Sequence, residues 1–190
     1  MAGARRGLDI PATSAPALLD QHHVVSGAEL AAFCDRFDAV LEDAGVEPGA
    51  AVASSVDSDL IGAATSVAAF RRHTYAPQNP SLRRGQLDER FRQLGAAAVV
   101  VGPQTGDRAV EVACDAGLAV VRVDLDHGVL QAQAVEPLKR AGLPTRPDIR
   151  VVLHTSGTTG ASRMVPINDA NLAHSLEAMT TLFQISEADR

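Results

Sequence analysis

The sequence predicts an α/β fold: a partly built, doubly wound, mostly parallel sheet with helices on both faces. Three observations predict it. Short runs of apolar, β-favouring residues recur along the chain, at Ala50–Val56, Ala96–Val101, Leu118–Val123 and Ile149–His154. Segments with helical period lie between the first three of them, the order expected of strands joined by helical crossovers. Apolar residues make up 46% of the 190 residues and charged residues 21%, which is a globular balance with enough chain for one ordinary core.

Residues 1–25 read as an irregular lead-in, rich in Ala, Pro and His, ahead of a single domain over 26–190. Ser26-Gly27-Ala28-Glu29 has the spacing of a capping box, in which a hydroxyl and a carboxylate satisfy each other's backbone N–H groups. Behind it Leu30, Phe33, Cys34, Phe37, Val40, Leu41 and Ala44 recur on one helical stripe, and Gly45 and Pro48 stop the helix. After the strand Ala50–Val56, a second helix is predicted over Asp59–Arg72, with Leu60, Ala64, Val67, Ala68 and Phe70 inward. Tyr75-Ala76-Pro77-Gln78-Asn79-Pro80 reads as a turn-rich connector. Leu82–Leu94 is a third helix ended by Gly95, and Ala96–Val101 is a continuous buried strand stopped by Gly102-Pro103. Asp107–Ala116 is helical and Leu118–Val123 is the next strand. The stretch 126–148 reads as loop, with Gly142, Pro144 and Pro147 as breakers. Ile149–His154 is a strand, Met164–Ile167 a brief return strand, and Asn168 caps a last helix with Leu172, Leu176, Met179 and Phe183 on one face.

Composition also narrows function. A net charge of −6 argues against general nucleic-acid binding, which needs a clustered basic face. The pairs Arg71-Arg72 and Arg83-Arg84 read as solvated helix ends. Cys34 and Cys114 have no metal-ligand spacing and read as buried thiols of a reducing compartment. No apolar run follows Met1–Arg6 as in a signal peptide, and no stretch reaches the length of a membrane-spanning helix, so a cytoplasmic location is expected.

The stretch that carries chemistry is Thr155-Ser156-Gly157-Thr158-Thr159-Gly160, followed by Ala161-Ser162-Arg163. Glycines let the backbone approach an anion, hydroxyls add directional donors, and a guanidinium supplies counter-charge, so a strand delivering into this loop reads as a phosphate grip. It is neither a Walker A loop nor a dinucleotide fingerprint, because G-x-x-x-x-G-K-[ST] and G-x-G-x-x-G are both absent. The competing reading is a polar surface loop. His22-His23 is better read as a solvated pair than as a metal site, since adjacent side chains do not converge. Asp124-Leu125-Asp126-His127 reads as the loop after a strand, and no residue is assigned a catalytic role or a metal.

Leu153-His154-Thr155-Ser156-Gly157-Thr158-Thr159-Gly160 through Arg163 and Val165 resembles the signature loop of adenylate-forming enzymes, the superfamily of acyl-CoA synthetases, nonribosomal adenylation domains and luciferases. Gly45-Val46-Glu47-Pro48-Gly49 and Ala76-Pro77-Gln78-Asn79-Pro80 resemble its upstream segments, and Asn171-Leu172 its helix after the loop. His154 and Val165-Pro166 are similar to the oxalate and short-carboxylate CoA ligases. Two departures stand out: Ser162-Arg163 replaces the usual Pro-Lys, and Ala50 replaces an acidic residue. A guanidinium keeps the charge of an ammonium but not its geometry.

The resemblance implies an N-terminal portion of a ligase that activates a carboxylate with MgATP, releases pyrophosphate and in many members passes the acyl group to coenzyme A. It implies that Thr155, Ser156, Gly157, Thr158, Thr159, Gly160 and Arg163 hold the ATP phosphates. The aromatic-Gly-x-Thr-Glu motif, the ribose-binding Asp and the catalytic Lys of the family come later than this loop and are not among these 190 residues, so the chain alone is expected to be inactive. The alternative is a non-catalytic module of the same fold, binding nucleotide or protein, dimerising, or complementing a separate C-terminal partner.

Overall fold

The computed structural model describes residues 10–56, 59–103, 105, 107–141, 143–146, 148–155 and 163–186. A seven-stranded sheet forms the centre, in the spatial order β7-β6-β5-β3-β4-β8-β9. Its strands are β3 (Ala51–Ser55), β4 (Thr74–Pro77), β5 (Ala96–Val101), β6 (Ala119–Asp126), β7 (Val129–Glu136), β8 (Ile149–His154) and β9 (Met164–Asn168). Neighbours from β6 across to β8 run parallel, while β7 and β9 close the two edges antiparallel. The doubly wound, mostly parallel sheet expected from the sequence is therefore present.

The helices are α1 (Gly27–Asp43), α2 (Asp59–Arg72), α3 (Arg84–Leu94), α4 (Asp107–Asp115) and α5 (Asp169–Phe183). From β3 the chain crosses through α2 to β4, then reverses through α3 to β5 on the far side of β3. Right-handed crossovers running in opposite directions place their helices on opposite faces. Two apolar clusters record this. Phe33, Phe37, Leu41 and Ala64 pack on Val52, Val100 and Val121, while Leu87, Phe91 and Val112 pack on Ala53, Val99 and Val120 of the other face. β5 is buried along its whole length, which explains its unbroken Ala/Val run.

α1 starts as its sequence dictates. Ser26 Oγ accepts from Glu29 N–H at 3.2 Å and Ser26 N–H donates to Glu29 Oε2 at 2.7 Å. The hydrogen bonds from Ser26 hold the Glu29 carboxyl below its ordinary range. α3 ends at Gly95, whose φ of 64° lies in the left-handed region that glycine enters without strain.

Three segments differ from the sequence reading. The lead-in carries an antiparallel pair, β1 (Pro16–Leu19) with β2 (Val24–Ser26). The connector begins as a strand, because Thr74–Pro77 pairs with β3 in the sheet centre before Gln78 and Pro80 turn the chain. Residues 129–136, read as loop, form β7, a hairpin partner of β6 that keeps β6 off the sheet edge. Cys34 is buried as expected, whereas Cys114 is only half-buried.

Candidate functional site

Open α/β sheets bind ligands outside the carboxyl ends of their strands, where neighbouring connections leave to opposite faces. Here that point lies between β3, which leaves to α2, and β4, which leaves to α3. β8 runs parallel beside β4, with Tyr75 opposite Val151, so its carboxyl end, His154, arrives at the same edge.

The sequence-predicted loop starts here. β8 and β9 pair antiparallel from Ile149 with Asn168 to His154 with Met164. Thr155 and Arg163 then close a neck with two reciprocal bonds: Thr155 N–H donates to the Arg163 carbonyl at 3.0 Å, and Arg163 N–H donates to Thr155 Oγ1 at 3.1 Å. One side chain thus fixes the width of the hairpin where the glycine run begins. Both residues are exposed. Ser156, Gly157, Thr158, Thr159 and Gly160 lie outside the described residues, so of the predicted site only Thr155 and Arg163 are placed.

Two residues that the sequence reading did not assign to the site adjoin the neck. Gln78 is 5% exposed and continues the β4 ladder, its N–H donating to the Ser54 carbonyl at 2.7 Å. Its Nε2 donates to the Ala76 carbonyl at 3.1 Å and lies 3.5 Å from His154 Nδ1. Gln78 Oε1 and His154 Nε2 are buried without a partner. Burial, then the charge of Arg90 on α3, holds the His154 imidazole below its ordinary value, so the ring is neutral near pH 7. Away from the neck, the Thr105 hydroxyl donates to the Ser55 carbonyl and accepts from Gly102 N–H at 2.9 Å, tying the ends of β3 and β5 together. The proline and glycines of the connectors gave no sign that Gln78 meets His154, because the contact depends on β8 returning beside β4.

The other candidates stay apart. His23 faces Asp20, which also accepts the backbone N–H groups of His22 and His23. Asp124 bonds the backbone of Leu125, and His127 lies 3.6 Å from Asp126 on the turn. No group of three or more His, Cys, Asp or Glu that could hold a metal is found among the described residues. The neck itself offers a hydroxyl and a guanidinium, not the carboxylates that grip magnesium, so no step is derived through a protein-bound ion.

Among the described residues no helix is long and apolar enough to cross a membrane. The sequence profile of the AMP-binding enzyme family matches residues 5–190. Over 119 residues the chain is 31% identical to nonribosomal peptide synthetase cm3A of Cordyceps militaris, a match covering 60% of this chain and 2% of the relative. The crystal structure of MatB from Rhodopseudomonas palustris superposes with a TM-score of 0.72 at 21% identity, covering 96% of this chain and 37% of that one. O-succinylbenzoate coenzyme A synthetase from Bacillus subtilis, in complex with AMP, gives 0.69 at 20%, covering 92% and 44%. The chain therefore spans less than half the length of each of these relatives. The fold, the placement of the loop neck and the family profile agree, and the chain belongs to the AMP-binding, adenylate-forming enzyme family.

Proposed function

We propose that this chain is the N-terminal, phosphate-holding portion of an ATP-dependent carboxylate-activating ligase of the acid–CoA type. The observation that carries the reading is the Thr155–Arg163 neck at the carboxyl edge of the parallel sheet, beside the point where the winding reverses. Thr155, Ser156, Gly157, Thr158, Thr159 and Gly160 supply backbone and hydroxyl donors to the β- and γ-phosphates, and Arg163 supplies the counter-charge. Donors fixed around departing pyrophosphate stabilise the charge that develops as the acyl-adenylate forms. Magnesium arrives with the nucleotide, the acid is a small carboxylate, coenzyme A is the acyl acceptor, and the location is cytoplasmic. MatB, one of the structural relatives, has also been crystallised with ATP bound, which supports the choice of ligand.

The 190-residue chain is expected to bind MgATP weakly and to show no ATP–pyrophosphate exchange. Isothermal titration checks the first point. Arg163→Ala is expected to weaken binding by about tenfold, the worth of one charge-assisted contact. Robust exchange by the isolated chain would overturn the claim that it is only a portion. Unchanged affinity in Arg163→Ala would remove Arg163 from the site.

A second reading is a non-catalytic module that recruits a partner or a second copy. It is favoured by α5, which buries no residue and exposes Leu176, Met179, Leu182 and Phe183. Absence of any heat with MgATP, together with a stable dimer in solution, would select this reading over the first.

A further inference from the structure

The face of the sheet under α3 and α4 ends, at the carboxyl edge, in a polar row. Ala53, Ala76 and Val152 belong to the core cluster of that face. Ala53 pairs with Ala76, and Tyr75 with Val151, so the next positions of the same parity are Ser55, Gln78 and His154 on three adjacent strands. Each buries a polar atom with no partner: Ser55 Oγ, Gln78 Oε1 and His154 Nε2. Buried polar atoms are ordinarily paired, so three in one row beside a candidate ligand neck ask for an explanation.

The hydrogen bonds define the chemistry. Gln78 donates from Nε2 to the Ala76 carbonyl, which fixes which end of its amide is NH2. The same NH2 meets His154 Nδ1 at 3.5 Å, so Nδ1 is the acceptor and the ring proton sits on Nε2. Without Gln78, the ring is free to carry its proton on either nitrogen. His154 is joined directly to Thr155, whose N–H and hydroxyl close the neck with Arg163.

We propose that Gln78 is a positioning residue for an anion site at the Thr155–Arg163 neck: it holds His154 in the Nε2–H tautomer, so the ring offers a bound anion a donor and not a lone pair. The inference rests on the phosphate reading of the loop. A neutral N–H adds direction to the grip, while the charge comes from Arg163. The arrangement brings two distant segments together, the connector at Gln78 and the Thr155–Arg163 neck that follows His154.

The test has a spectroscopic arm and a binding arm. In ring-nitrogen NMR of the ligand-free protein, His154 is expected as the Nε2–H tautomer in wild type and as a tautomer mixture in Gln78→Leu. Gln78→Glu, of nearly the same shape, turns the donor into an acceptor and is expected to move the proton to Nδ1. An Nδ1–H wild type, or a tautomer indifferent to both substitutions, would overturn the positioning role. In titration with MgATP, Gln78→Leu and His154→Phe are each expected to lose about fivefold in affinity. The double variant is expected to lose no more than His154→Phe alone, because Gln78 acts through the ring. Multiplying losses would overturn that route. A wild-type chain that binds no MgATP would overturn the phosphate reading and the donor role with it, while the NMR arm still decides whether Gln78 holds the ring.

Discussion

Asp38 is 6% exposed on the side of α1 that meets α2, with its Oδ1 lacking a partner. Burial pushes its carboxyl up to about 6, against the opposing pull of Arg71 and Arg72. Arg71 is 3.9 Å away and bonds the exposed Asp35 at 2.8 Å, so it serves Asp38 poorly. The folded protein therefore holds a proton on Asp38 at pH values where the unfolded chain has released it. Folding takes up that proton between about pH 4 and 6, so this group's contribution to stability falls as pH rises through that window and stays low above it. Asp38→Asn has no charge to bury and is expected to raise stability at pH 8 by about 1 kcal/mol, roughly 3 °C in Tm, with no gain at pH 4. Thermal melts of both proteins at the two pH values check this, and a variant less stable at pH 8 would refute it. Gly95 makes a second case at this scale. Its φ is 64°, and an added Cβ would stand 2.8 Å from Pro144 Cγ. Gly95→Ala combines a left-handed strain with a clash and is expected to cost about 1–3 kcal/mol, read from a denaturant midpoint.

At the scale of elements, α5 is held by its first turn. Asn168 caps it, accepting from Asn171 N–H at 2.8 Å. Arg150 of β8 is 8% exposed; it bonds Asp169 through two nitrogens and donates to the Phe70 carbonyl at 2.6 Å, joining α2, β8 and α5. Arg150→Ala removes the donor that the half-buried Phe70 carbonyl and the first turn of α5 share, and is expected to cost about 1–3 kcal/mol. Hydrogen exchange of the α5 amides should quicken more than that of β5, and uniform change across both would place the effect elsewhere. How much of this was legible depended on where each element draws its stability. α1 was readable because its capping box and Phe33–Phe37–Leu41 stripe are local and are both used in the fold. β5 was readable because burial on both faces leaves an uninterrupted Ala/Val run. β4 and β7 were missed for opposite reasons. β4 is four residues long and runs into the turn at Gln78, so its turn residues masked the pairing with β3. β7 has an exposed, mixed pattern whose only strong signal is its ladder with β6. The apolar row of α5 was legible, but periodicity records only that a face is apolar and does not say what covers it. The same limit applies to the site. The loop neck was visible as a motif, whereas Gln78 reaches it only through the spatial order β4-β8.

At the scale of the whole molecule, the two edges of the sheet are managed differently. β7 lies against α1 and buries Leu130 in the core. At the other edge, β9 carries Pro166, which blunts strand addition, yet Leu153 and Val165 beside it are 42% and 43% exposed. Next to them α5 leaves Leu176, Met179, Leu182 and Phe183 at least half exposed, with Leu182 at 74%. Burying such side chains stabilises by about 1.5–3 kcal/mol each, so leaving four of them in water on one helix costs more than a surface of scattered apolar residues does. The isolated 190-residue chain is therefore expected to associate through this face as its concentration rises. Sedimentation velocity between about 1 and 100 µM should show a growing share of dimer or larger species, in the range where weak apolar interfaces form. Replacing Leu182 and Phe183, 74% and 66% exposed, together by Lys should return the chain to a monomer with little change in Tm. A wild-type chain that stays monomeric across that range would show that the α5 row does not drive association. A doubly substituted chain that still associates would move the contact to the β9 edge.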